Sequence, residues 1–177
     1  MIVEETLIPD LQQAICEAVK EALPGLRKCE PYAGRFDIDE LKKSGLAAPA
    51  VLVSVLGLKQ KGGAAGGAVH FATRFSAFVT TRDTMTGTRD AHAAVICQAL
   101  AALIPNANFG HPAVGHAENV EVTPLISTST RDQAVSLWAV TWSQNLTLQV
   151  FEPGALGAEL YVTGPDNDEP VQVGGAP

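Results

Sequence analysis

Val69-His70-Phe71-Ala72-Thr73-Arg74-Phe75-Ser76-Ala77-Phe78-Val79-Thr80-Thr81 alternates over its whole length. Val69, Phe71, Thr73, Phe75, Ala77 and Val79 share one face, and His70, Ala72, Arg74, Ser76, Phe78 and Thr80 share the other. A period of two sustained this long predicts a strand with one clear core face. Upstream, Pro49 opens Ala50 to Gly57. There Ala50, Leu52, Ser54 and Leu56 oppose Val51, Val53 and Val55, so both faces are mostly apolar. That predicts a central strand covered on both sides. Leu58 to Ala68 lies between the two, with Lys59, Lys61 and the run Gly62-Gly63-Ala64-Ala65-Gly66-Gly67. It reads as a long flexible loop closing a hairpin. It is not a phosphate cradle, because no Gly-Lys-Ser/Thr follows and a strand, not a helix, comes next.

Two helical patterns flank this hairpin. Leu7, Leu11, Ala14, Ile15, Ala18, Val19, Ala22 and Leu23 recur at three- and four-residue steps, predicting an amphipathic helix over about 9–23. Asp10 is its expected cap and Pro24-Gly25 its stop. The second pattern, Ala91 to Ile104, is capped by Asp90 in this reading and ended by Pro105-Asn106. Nearly every position in it is small or apolar, so it is buried on several sides, or buried on one and partnered on another. Leu26 to Tyr32 reads as a short strand kept near an edge by Pro31. Arg35 to Gly45 reads as a short helix. Ala117 to Ile126 and Gln133 to Phe151 read as strands, and Trp138 and Trp142 of the latter share one face, where they pack as core. The expected fold is α+β: a mostly antiparallel sheet of four to five strands, two helices on one face, and a C-terminal arm. Residues 1–151 form the domain. Residues 152–177, punctuated by Pro and Gly around Leu160-Tyr161-Val162, form the arm.

The chain has 177 residues, 46% hydrophobic and 18% charged, which excludes a wholly disordered protein. No apolar run approaches the ~18–20 residues of a membrane helix, and the acidic start is no signal sequence, so no membrane role and a cytoplasmic origin are expected. The net charge is −7. Up to Thr88 ten basic residues balance ten acidic ones; beyond it two basic residues face nine acidic ones. Stable nucleic-acid binding by the second half is therefore not expected, while passing contact without adhesion is allowed.

Chemistry-bearing motifs are sparse. Cys16, Cys29 and Cys97 are odd in number and far apart in sequence, which favours buried free thiols. Cys97 lies mid-helix among apolar residues. His70, His92, His111 and His116 lack metal-ligand spacing; a site built in space from His111, His116 and Glu118 is the alternative reading. There is no nucleophile elbow and no carboxylate pair in a burying context. The expectation is no catalytic residue, no cofactor and no metal: a domain built for assembly and not an enzyme.

Several elements together resemble a known family. They are Tyr32-Ala33-Gly34-Arg35-Phe36-Asp37 with Glu40-Leu41, Ala48-Pro49-Ala50-Val51-Leu52-Val53, Thr81-Arg82-Asp83, Ala91-His92-Ala93-Ala94-Val95, and Leu137-Trp138-Ala139-Val140-Thr141-Trp142. From Thr6 to Phe151 the chain resembles the Mu-like bacteriophage tail terminators, or tail completion proteins. The resemblance implies a virion protein of the tail or neck, assembled in the bacterial host cytoplasm. It implies a homo-hexameric ring that caps the head-proximal end of the tail tube. Tail tube protein and head-tail connector or neck proteins would be its partners, and DNA would pass through without specific binding. Ring closure needs a heterologous interface. The expected contact residues with neighbour or tube are Lys59, Lys61, Val95, Leu103, Leu160, Tyr161 and Val162. Another neck or head-completion protein, or a small metal- or ligand-binding domain, are the alternatives.

Overall fold

The computed structural model describes residues 6–34, 47–63, 68–125 and 135–148, together with the backbone of 161–162 and 171–172. Its elements are α1 (Leu7–Ala22), β1 (Lys28–Tyr32), β2 (Ala50–Gly63), β3 (Val69–Arg82), α2 (Arg89–Leu103), β4 (Glu118–Pro124), β5 (Val135–Leu148), β6 (Tyr161–Val162) and β7 (Val171–Gln172). The strands β1 to β5 form one sheet in the order β1-β2-β3-β5-β4, and β6 pairs with β7. All pairings are antiparallel except β1 with β2, which run parallel. The expected α+β class holds.

The alternation of β3 sets the layers. Its Phe75, Ala77 and Val79 join Val51 and Val53 of β2 and Val140, Trp142 and Leu146 of β5 on one face. Both helices pack there: Leu7, Leu11, Ile15 and Val19 from α1, and Ile96, Cys97 and Leu100 from α2. α1 lies over β1 and β2, and α2 over β3 and β5. The Phe75 and Trp142 rings stack at 5.5 Å, 13° apart in plane, at the centre of this layer. The other face carries a second apolar cluster of Ala50, Leu52, Phe78, Val135, Leu137 and Ala139. Both faces of β2 are therefore buried over Ala50 to Ser54, as its unbroken apolar run requires. Trp142 is core, and Trp138 packs half-buried against the same layer.

Three local expectations need correcting. The segment after Gly57 is not a long loop. β2 continues to Gly63 and stays paired with β3 as far as Val69, while the other edge of β3 pairs with β5 as far as Leu148, so this stretch is part of the main sheet. The polar, Gly-containing stretch Gly57 to Gly63 reads as loop because β1 pairs with β2 only as far as Ser54, leaving this outer stretch at the sheet edge and almost wholly exposed. Register shifts interrupt its pairing with β3 at Val55/Gly57 and Gln60/Gly62. At α1, Asp10 is not the cap: Thr6 occupies that position and donates its hydroxyl to Asp10 at 2.5 Å, inside the first turn. At α2, Thr88 and not Asp90 is the cap. Its extended backbone (φ −77°, ψ 152°) aims its Oγ1 at the amide of Ala91. Asp90 instead accepts from Ser136 of β5 at 2.6 Å.

After α2, Pro105 ends the helical ladder and Asn106 takes a left-handed φ of 61°. The following loop is held by one buried side chain. Gln144 donates to the carbonyls of Ala107 and Gly115, both at 3.1 Å, and accepts from the Trp142 indole at 3.0 Å. The expected helix over 35–45 and most of the arm beyond 151 lie outside the described residues.

All three cysteines are free and buried. Although distant in sequence, Cys16 of α1 and Cys29 of β1 meet and share a thiol hydrogen bond. That bond, together with burial, holds the Cys16 thiol far above its ordinary range, and it lowers Cys29. Burial alone pushes Cys97 up to about 11.

Candidate assembly surface

α2 is anchored at its start by a dense polar network. Thr81 donates to the Arg89 carbonyl at 2.7 Å, and Asp83 accepts from the Arg89 amide at 2.8 Å. Ser136 and Thr88 supply the remaining ties. A helix fixed this firmly presents its outer face with little freedom. Its inner face buries Ala93, Ile96, Cys97 and Leu100. The outer face leaves Ala91, Ala94, Val95, Gln98 and Ala102 exposed. Val95 is 64% exposed, the largest apolar side chain on this helix open to solvent. These positions follow the three- and four-residue steps of a single stripe. Small side chains allow another element to approach the helix closely, and one carboxamide is the stripe's only polar group.

The sequence-predicted contact residues do not gather in one place. Val95 lies near the Arg82 end of the sheet. Lys59 and Lys61 are exposed on the outer stretch of β2, at the opposite end of the sheet. Lys59 lies opposite Ala72, and the exposed Arg74 pairs with Gly57, so this corner of the sheet is basic. Leu103 packs half-buried against the core and contributes less to the outer stripe. The side chains of Leu160, Tyr161 and Val162 lie outside the described residues, although Tyr161 and Val162 form β6. At the sheet edge β4 is mostly exposed and carries Glu118 and Glu121.

A feature missed in the sequence is an open cleft of about 440 Å³ where the end of α1, the start of β1, the end of β3 and the start of α2 converge. Leu23, Leu26, Pro49 and Ile96 supply apolar walls, while Arg27 and Arg82 add charge. Met85 stands fully exposed on the Thr84–Gly87 turn, between the lining residues Thr84 and Thr86. Four separate stretches build this cleft, so no local motif marks it.

His92 sits in the same cleft, with its Nε2 2.8 Å from the Thr84 hydroxyl. His116 Nδ1 lies 2.5 Å from the Asn106 carbonyl. Among the described residues no three His, Cys, Asp or Glu side chains come together as a metal-sized group, so His111, His116 and Glu118 do not converge. No helix among them is long and apolar enough to cross a membrane.

A family model described as "Bacteriophage Mu, Gp37" matches residues 7–147. The comparison with curated proteins finds no match.

Proposed function

The chain belongs to the bacteriophage Mu Gp37 family and is thus a Mu-like phage protein, and from that premise we propose that it is a tail terminator. Copies of the chain close into a ring, six in number by the resemblance noted above. The ring caps the head-proximal end of the tail tube, stops its polymerisation and joins it to the head connector. The role is structural and not enzymatic, and its place is the virion, at the tail or neck.

The observation that carries this reading is the outer stripe of α2. A firmly anchored helix leaves Val95 and a run of alanines without a partner. Isolated exposed apolar residues are ordinary, but small side chains along one helix stripe let a facing element approach closely, with Val95 as its apolar anchor. A ring needs two different complementary patches per copy, and this stripe serves as one. The charge layout supports the rest. The basic corner of the sheet bearing Lys59, Lys61 and Arg74 contacts the tube, and the acidic edge bearing Glu118 and Glu121 faces the opening. Like charge there repels DNA phosphates and lets the duplex slide without adhesion.

The test is electron microscopy of the full chain, alone and added to polymerising tail tube protein from the same phage. Rings with a central opening, and tubes arrested with a ring at one end, are the expected result. Tubes of unchanged length with no density at either end refute the reading.

A further inference from the structure

We propose that the cleft between the end of α1 and the start of α2 receives the C-terminal segment of a second copy of this chain. Leu160-Tyr161-Val162 is the apolar anchor, and the acidic residues around it meet Arg27 and Arg82. This deepens the proposed function and rests on its self-assembly.

The cleft selects its occupant by chemistry. Its walls are apolar, with Leu26, Pro49 and Ile96 among them, and two guanidinium groups line it. Among the described residues, neither Arg27 nor Arg82 makes a side-chain hydrogen bond or ion pair. Asp83, the acidic lining residue, is already engaged by the Arg89 amide and side chain. Two uncommitted guanidinium groups beside an apolar hollow fit an acidic peptide that carries an apolar anchor. Residues 152–177 have that composition. They hold Glu152, Glu159, Asp166, Asp168 and Glu169 and no Lys or Arg, with Leu160-Tyr161-Val162 between them. The pairing of β6 with β7 brackets 163–170, which contains three of those acids.

Reach decides which copy supplies the segment. In the sheet Arg82 pairs with Val135, whereas Val69 pairs with Leu148. β5 therefore ends at the far end of the sheet from the cleft. Thirteen strand steps at ~3.3 Å put that separation at about 43 Å. The twelve residues from Leu148 to Leu160 span at most ~40–43 Å when fully extended. Its own anchor would reach its own cleft only as a straight rod laid along the sheet. The cleft of an adjacent copy imposes no such demand. A segment of one copy in the cleft of the next is a heterologous, head-to-tail contact, the kind that propagates around a ring.

The test uses two full-length variants, V95C and V162C, the second carrying a mass tag, mixed and treated with a short bismaleimide. Cys16, Cys29 and Cys97 are buried and stay out of the reaction. The expected product is a cross-linked heterodimer. Adding R27E and R82E to the V95C chain lowers its yield on the order of tenfold. A yield no higher than that of an E17C control in place of V95C overturns the proposal. So does cross-linking confined within single chains of a V95C/V162C double variant. Light scattering on the untreated mixture separates the two claims. An oligomer without the heterodimer overturns the docking and leaves the ring; the heterodimer without a closed oligomer does the reverse; a monomer giving no heterodimer overturns both.

Discussion

The indole of Trp142 donates its Nε1 hydrogen to the side-chain oxygen of Gln144, two residues further along the same face of β5. One buried amide thus serves both the aromatic core and the loop after α2, since its nitrogen binds the Ala107 and Gly115 carbonyls. Core packing and loop shape are coupled through this pair.

Trp142→Ala removes the ring stacked on Phe75 and leaves the Gln144 oxygen without its donor. It lowers the unfolding free energy by about 3–5 kcal/mol in urea titrations of the full chain. A loss below about 1 kcal/mol would show that the cavity collapses or that the ring is not core.

Gln144→Leu keeps the volume and deletes the hydrogen bonds. The expected cost is about 1–3 kcal/mol, because the buried indole N–H and two carbonyls lose a partner. Hydrogen exchange should accelerate at the amides of Gly115 and Ala117, while α1 amides are unaffected. Equal acceleration in α1 would mean that the loop is not a separate unit.

Burial raises the Cys97 thiol from 9.0 to about 11. The unfolded chain therefore releases this proton at lower pH than the folded one. The associated stability is complete below about pH 9 and is lost as pH rises through about 11. Cys97→Val should flatten that part of the stability profile, although Cys16, also raised, keeps some alkaline sensitivity. An unchanged alkaline slope in the variant would contradict the burial account.

Removing Gly154 to Pro177 should leave the cooperative unfolding transition in place and weaken association. Loss of the transition would instead show that the segment belongs to the core.

Much of this architecture was legible in the sequence because alternation is a direct physical record of two-sided burial. Val51 and Val53 against Ala50 and Leu52 announced a covered central strand, and Val69 to Thr81 announced its neighbour. What escaped was decided by exposure or by distance. Leu58 to Gly63 looks like a loop because an outer strand stretch exposed at the sheet edge has no core to imprint a period. Thr88 and Asp90 are both good caps, and only backbone geometry and the reach of Ser136 separate them. Cys16 and Cys29 meet because α1 happens to lie over β1. The cleft joins Arg27 to Arg82 across 55 residues, so neither its charge nor its apolar walls could be read locally. The outer stripe of α2 was the part of the candidate surface that sequence did show, as a helix too apolar to be half in water.

The account stands on that stripe mediating self-association. Light scattering of the full chain across a wide concentration range, beside Val95→Glu, tests it most directly. A closed oligomer for the parent chain and a folded monomer for Val95→Glu, with unchanged helix content, is the result it predicts. A parent chain that stays monomeric at every concentration, or an oligomer indifferent to a carboxylate at position 95, would contradict it.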